Sequence, residues 1–230
     1  MMWFRWARAL APMVLPVLFN LPPAAAQAPL IVIETSLPTA TYASFAMAKD
    51  SSSFAADSPE NKGLLDKGFG APLAVQHVLD RHVLLASPAT KLLIPAPFGW
   101  RGFDDGKRTR LFTPTGNIGM VVSAMSTEGF AGWDDAREQV WKVARETAQK
   151  RAQADPRYQA RMIRLADGTF GMREMNLQDS EGPHSSVTLF KRHPGDPKLA
   201  VRINLFAPVD DFERYLGLLA LVVRDVQVPK

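Results

Sequence analysis

The sequence predicts an α+β fold in which an antiparallel β-sheet is covered by two main helices, as an α/β/α sandwich. Apolar and polar residues alternate with a period of two in three runs between positions 161 and 206, which is typical of strands with one buried face. Stretches with helical spacing of apolar residues lie on either side of these runs, around Trp141 and Leu216. A sheet with one apolar face needs such a cover, so we expect the helices to pack on the sheet.

The three alternating runs predict a three-stranded antiparallel meander. They span residues 169–177, 187–190 and 199–205. The joints between them contain the letters EGP and PGDP, and glycine and proline favour the backbone angles of tight turns. Short joints of this kind connect neighbouring antiparallel strands.

A strand, a hairpin and a long helix are predicted before the meander. Residues 91–94 predict a strand that either ends at the following prolines or lies at a sheet edge. Residues 109–113 and 118–125 flank a PTGN turn and predict the hairpin. Residues 71–86 fit a helix or a strand equally well. The helix is predicted over 133–151, and its expected inner face consists of Trp133, Ala136, Val140, Trp141, Val143, Ala144 and Ala148.

A second helix is predicted from a capping residue, Asp210 or Asp211, to about Arg224. Leu218 and Leu221 lie on the side opposite its main apolar stripe, so this helix is expected to be buried on more than one face. The N-terminal part of the chain or a partner chain is the expected second cover. These two leucines are therefore the candidate partner surface if they are exposed. If the N-terminal segment covers them, that segment is a built-in lid.

The first 26 residues predict a secretory signal peptide. Arg5 and Arg8 precede a short apolar run over residues 10–21, and three alanines before Gln27 provide a small-residue cleavage site. An uncleaved membrane anchor is the alternative, but the run is shorter than the roughly 20 apolar residues that span a bilayer. No stable membrane span is expected after cleavage. We expect an exported protein, periplasmic or extracellular.

Composition favours one folded domain after the leader. Residues 27–71 are predicted to be an extension or linker, and residues 72–230 the sandwich domain; 47% of the 230 residues are hydrophobic, which is enough for a core. Without residues 1–26, the chain has 25 basic and 23 acidic residues, and this net charge of +2 does not indicate a nucleic-acid partner. The chain has no cysteine, which excludes disulfides, zinc–thiolate sites and thiol nucleophiles. No cofactor is expected.

The order of elements resembles the PsbP/DcrB-like family of α/β/α sandwich domains over roughly residues 80–228. Pro97, Gly99 and Trp100 match the Pro-x-Gly-Trp segment that follows the first strand of the family. The Phe-x-Pro strand end and the Gly-Asn turn of the family are matched by Phe112, Pro114, Gly116 and Asn117. The family includes photosystem extrinsic subunits, envelope proteins and small adaptors or chaperones. The resemblance thus implies binding or assembly without catalysis, with an envelope protein as the expected partner, and it brings no shared catalytic residues.

One region clusters groups that suit catalysis or metal binding. Near the two ends of one predicted strand lie Asp179, Glu181, His184, His193 and Asp196. The two histidines are separated by about 30 Å if the strand is extended, because each residue adds ~3.3 Å, and cannot share a metal unless the strand is broken. An alternative function, as a hydrolase or metal-dependent enzyme, requires these groups to converge in one concave site. Otherwise they are solvated loop residues.

Basic residues cluster between the first predicted helix and the meander. Arg151, Arg157 and Arg161, together with Tyr158, form a candidate surface for anions or phospholipid headgroups. The alternative interpretation is a solvated helix end, which is the more common role of such a run.

Overall fold

The computed structural model describes residues 32–55, 57–66, 69–179 and 182–229; the predicted signal peptide lies outside these residues. In the described residues the chain has a sheet-rich α+β fold with three helices: α1 (Pro59–Asp66), α2 (Trp133–Ala154) and α3 (Val209–Asp225). The strands are β1 (Ile33–Glu34), β2 (Ala71–Pro72), β3 (Ala74–Leu79), β4 (His82–Ser87), β5 (Leu92–Pro97), β6 (Arg101–Asp104), β7 (Thr109–Phe112), β8 (Gly119–Ser126), β9 (Gln159–Arg164), β10 (Phe170–Asp179), β11 (Gly182–Arg192) and β12 (Leu199–Pro208).

The strands that the structure describes form two sheets. The larger has nine strands in the order β1-β9-β10-β11-β12-β8-β7-β6-β2, and the smaller has three in the order β3-β4-β5. All pairs are antiparallel except β1 with β9. The predicted hairpin is β7–β8, and the predicted meander is β10–β11–β12 with β9 added before it. The α+β class and the antiparallel core of the sheet are therefore confirmed.

The small sheet resolves the two alternatives left open before the hairpin. The segment over 71–86 forms strands, with a turn at Arg81, whose φ is 65°. Strand β5 continues through Pro95 and Pro97 and lies at the edge of the small sheet. An edge strand tolerates proline because only one side of it pairs with a neighbour.

The two long helices contact different parts of the structure. Helix α2 contacts β9 and β10, while α3 contacts β11, β12 and β5. On β10, Phe170 packs in a cluster with Trp141 of α2, while Leu189 of the neighbouring β11 belongs to the cluster that contains α3. Because consecutive strand residues point to opposite faces, the sheet presents apolar side chains on both sides here. No helix in the described residues is long and apolar enough to cross a membrane.

Two details of the predicted helices are wrong. Val143 is 63% exposed, because residues two positions apart on a helix point in directions about 200° apart, so Val143 cannot share the face of the buried Trp141. Helix α3 begins at Val209 after Pro208, with no side-chain cap. Asp210 and Asp211 instead lie in the first turn, where negative charge complements the helix dipole.

Candidate functional site

The second face of α3 is contacted by the N-terminal strap, which we define as residues 32–54, and α3 also contacts β5 of the small sheet. Leu218 is 1% exposed and Leu221 is 4% exposed, so neither forms an open patch. Successive residues of an α-helix are rotated by about 100° around its axis. One side of α3 therefore carries Gly217, Leu221 and Leu218, and Leu219 lies on the side that faces the large sheet. The segment predicted to be an extension thus contributes to the core, where Tyr42, Phe45 and Phe54 are buried.

Gly217 is the point of closest approach between the strap and α3. A Cβ built on this glycine would lie 2.7 Å from Cβ of Ala40 and 3.5 Å from the ring carbon Cζ of Phe45. A real side chain would force the strap away from the helix, so glycine allows the two segments to touch. The contact at Gly217 is therefore an apolar seat for one small and one aromatic side chain.

Polar contacts hold the strap on both sides of this seat. The Tyr42 hydroxyl donates to Oδ2 of Asp225 at 3.1 Å, and Nη2 of Arg214 donates to the carbonyl of Ser44 at 3.2 Å. The Tyr42 ring also stacks on His82, with centroids 3.9 Å apart. Arg214 and Asp225 lie on the same side of α3 as Leu221, so the strap and the buried leucines share one helix face.

Titration of the Tyr42–Asp225 pair is shifted in the directions that preserve their hydrogen bond. Burial, followed by the nearby Asp225 charge, raises the pKa of the Tyr42 phenol above its usual value. Burial alone raises the pKa of the Asp225 carboxyl, but hydrogen bonds from Arg224 and Tyr42 outweigh it and lower the pKa. At neutral pH the donor is therefore protonated and the acceptor is charged.

The start of the strap is held by ion pairs. Glu34 lies 3.1 Å from Nη1 of Arg161 and 3.4 Å from Nη1 of Arg173. The Arg173 side chain is only 7% exposed and also pairs with Glu213 of α3. One buried guanidinium therefore connects the strap, the sheet and α3.

Each arginine of the candidate anion surface has a carboxylate partner. Arg161 pairs with Glu34 as described, Arg151 with Glu174, and Arg157 lies 3.0 Å from Asp155. Tyr158 donates to Glu174 at 2.7 Å, and burial together with this carboxylate raises the pKa of its phenol. These positive charges are therefore locally compensated, which reduces their attraction for an external anion.

The candidate catalytic groups are not brought together in the described residues. His193 is buried, with Nε2 2.9 Å from the Thr90 carbonyl and Nδ1 accepting from the Gly195 amide at 3.1 Å. Asp196 lines the same cavity as His193, whereas His184 lines a different cavity beside Arg151. The described residues contain no group of three or more His, Asp or Glu side chains that could hold a metal. Glu181 and the side chain of Asp179 lie outside the described residues.

The N-terminal segment is one of the two expected covers of α3, but the sequence did not indicate which of its residues form the contact. Its serine-rich composition is typical of a loop, and its apolar anchors are too widely spaced for a periodic pattern. The signal that was present is the pair of aromatic residues Tyr42 and Phe45 among the otherwise small residues of 38–46, since aromatic side chains are costly to leave in water. The matching signal on α3 is Gly217 in the middle of an apolar helix.

No protein-family model matches this chain, and no curated protein matches it.

Proposed function

We propose that the protein is an exported binding or assembly module that acts without catalysis, and that its partner site is the α3 face beneath the strap. The observation that carries the proposal is the seat at Gly217, where an apolar helix face is covered by a segment with little regular structure. Displacement of the strap would open the seat at Gly217 and the side of α3 between Gly217 and Asp225, where Leu221 lies. Contiguous apolar surface of this kind usually marks a protein interaction site.

Apart from its buried side chains Tyr42, Phe45 and Phe54, the strap is attached with few sheet hydrogen bonds. Only the two residues of β1 join the large sheet, and two single-turn 3₁₀ segments, Tyr42–Ser44 and Ser52–Phe54, are its other regular structure. Segments with few ladder hydrogen bonds open locally at a lower free energy than the core does. The strap can therefore open while the sheet and α3 stay folded.

The chemistry of the strap indicates what a partner must supply. The seat accepts a small side chain in place of Ala40 and an aromatic ring in place of Phe45, and Asp225 accepts a hydrogen bond from a hydroxyl group. An extended segment of an envelope protein with these three features would satisfy the same groups. Binding by such a segment would compete directly with the strap.

The leader and the family resemblance support this assignment. A cleaved signal peptide over residues 1–26 would place the protein in the envelope or outside the cell. An α/β/α sandwich with α2 and α3 on opposite faces of the large sheet is part of this proposal, as the PsbP/DcrB-like resemblance over roughly residues 80–228 implies. Adaptors and assembly factors in that family fit a role in binding, although a shared fold does not by itself establish a shared function.

A reversible disulfide that locks the strap tests the proposal. The double variant Ala40→Cys with Gly217→Cys places the only two thiols of the chain at the seat, because the natural sequence has no cysteine. A disulfide needs its Cβ atoms about 3.8 Å apart, so the strap has to move outward by only about 1 Å. We expect the oxidised variant to lose a partner that the wild type retains after crosslinking in envelope extracts, and reduction to restore that partner at least in part, since a cysteine at position 217 also occupies some of the seat.

The reduced form of the same variant is the matched control for any effect of the two substitutions. Mass spectrometry of the crosslinked products compares the three samples. Recovery of the same partners by the oxidised, locked protein would show that binding does not use the α3 face. The basic cluster around Arg151, Arg157 and Arg161 would then be the next surface to test.

A further inference from the structure

A groove with an aromatic floor lies on the large sheet, between α1 and the β7–β8 turn. Its volume is about 440 Å³, which falls within the range of small-molecule sites, roughly 300–1,000 Å³. Leu64 of α1 and Phe69 form one wall, and Pro114 and Thr115 of the turn form another. None of the strap residues lines this groove in the described part of the chain.

The floor of the groove is one row of side chains across four strands. Arg101 is paired with Phe112, Phe112 with Gly119, and Gly119 with Phe206. Directly opposed residues in antiparallel strands point to the same face of the sheet, so this row shares one surface. A Cβ on Gly119 would lie 2.4 Å from the Phe206 ring, so the glycine makes room for that ring on the floor.

Arg101 carries a positive charge that the described residues do not compensate. It has no ion pair with a described carboxylate, and its Nε is buried without a hydrogen-bond partner. Its Nη1 donates one long hydrogen bond, to Oδ1 of Asn61 at 3.4 Å. The Asn61 amide nitrogen is already used, since it donates to the carbonyls of Ser53 and Ala55 at 3.0 and 2.8 Å.

The second arginine in the groove is different. Nη2 of Arg110 lies 2.8 Å from Asp105, Nη1 donates to the Phe69 carbonyl at 2.9 Å, and the guanidinium lies 6.0 Å from the centre of the Phe69 ring. Arg110 therefore has its partners within the protein. Arg101 is left as the cation that would attract a ligand, because a buried donor gains most from a charged acceptor.

We propose that this groove binds an amphipathic organic anion, with a carboxylate or phosphate on Arg101 and a single alkyl chain along the floor of Phe112 and Phe206. The shared chemistry is an oxyanion head and an apolar tail. Aromatic rings supply apolar area without adding charge, which suits an alkyl chain. This site is independent of the strap and adds a small-molecule ligand to the proposed binding function.

Calorimetric titration below micelle-forming concentrations tests the proposal with four ten-carbon probes: decanoate, decyl phosphate, decanol and decyltrimethylammonium. We expect at least one of the two anions to bind more tightly than decanol, and the cation to bind least. The tighter of the two anions identifies the head group. Octanoate should bind about fifteen-fold more weakly than decanoate, because each buried CH₂ contributes about fourfold. Acetate binding as tightly as decanoate would contradict a role for the floor.

Arg101→Gln should weaken binding of the preferred anion about tenfold or more, because a hydrogen bond to a charged group is lost, and should leave decanol binding unchanged. Arg145→Gln, at an exposed position on α2, is the matched control and should bind as the wild type does. Val121→Trp fills the groove from β8 and should abolish binding of both anion and alcohol while a thermal melt shows a folded protein. The proposal is overturned if neither anion binds the wild type. It is also overturned if the affinity for the anion is unchanged in Arg101→Gln or in Val121→Trp.

Discussion

Trp100→Ala is expected to destabilise the protein by about 3–5 kcal/mol, which is a large part of the roughly 5–15 kcal/mol of a typical domain. Trp100 is fully buried, and its ring lies 6.1 Å from the ring of Tyr215 on α3. Its Nε1 donates to the carbonyl of Phe45 at 3.2 Å, so the same side chain supports α3 and holds the strap. Truncation leaves a cavity between α3 and the strap and removes one strap contact.

Two further variants test whether the loss of stability is due to the place of Trp100 in the core rather than to the removal of any tryptophan. Trp133→Ala removes another indole that donates to a backbone carbonyl, at Gly168, but Trp133 is only partly buried and packs against Phe170. Trp133→Ala should therefore lower the free energy of unfolding by clearly less than Trp100→Ala does. Trp100→Phe keeps most of the burial and should cost about 1–2 kcal/mol, mainly for the unsatisfied Phe45 carbonyl. Urea unfolding measures the free energy of unfolding of all three variants. An equal loss of stability in Trp100→Ala and Trp133→Ala would contradict the importance given to Trp100.

Gly171→Ala is expected to cost about 3 kcal/mol or more, although it adds a single methyl group. Gly171 lies in β10, which pairs with β9 on one side and β11 on the other. A Cβ there would lie 1.9 Å from the backbone oxygen of Thr188, and backbone moves less readily than a side chain. The Gly171 carbonyl also accepts a hydrogen bond from Nε1 of Trp141 at 3.1 Å, so α2 restrains the strand from shifting away.

The control for Gly171→Ala is Gly63→Ala in α1. A Cβ at Gly63 has nothing within 4 Å, and alanine favours a helix over glycine by up to about 1 kcal/mol. This variant should be as stable as the wild type or slightly more stable in the same urea titration. A wild-type midpoint for Gly171→Ala would show that the strand can shift, and that the packing of β10 against β11 is looser than described.

The sequence predicted the elements whose pattern is local. The period of two in β10 and β12 and the helical spacing around Trp141 and Leu216 each depend on residues close together in the chain, so the meander and both long helices were predicted. Strand β2 was not predicted, because it has only two residues, and the segment of β3 stayed ambiguous between helix and strand, because every residue of β3 is exposed. Such strands are defined by the neighbour they pair with rather than by their own pattern.

The candidate sites differ in how much of them the sequence contained. The second apolar face of α3 was predicted from Leu218 and Leu221, and its cover by the N-terminal segment was one of two alternatives. The strap itself was read as an extension, because its attachment depends on groups about 170 or more positions away, such as Arg214 and Asp225. The groove was missed because its floor exists only once the register of four strands is known.

The most direct measurement of the central claim is native-state thiol labelling of two residues of α3. In a chain without cysteine, Leu221→Cys places one thiol beneath the strap, and Leu219→Cys places one in the fully buried sheet-facing stripe. If the strap opens while the fold persists, the Leu221→Cys variant labels at a rate that hardly changes in dilute urea. The Leu219→Cys variant labels only through global unfolding, with a dependence of about 1–3 kcal/mol per molar urea. Equal and steep urea dependence at both positions would contradict the account, because the strap would then leave α3 only when the whole domain unfolds.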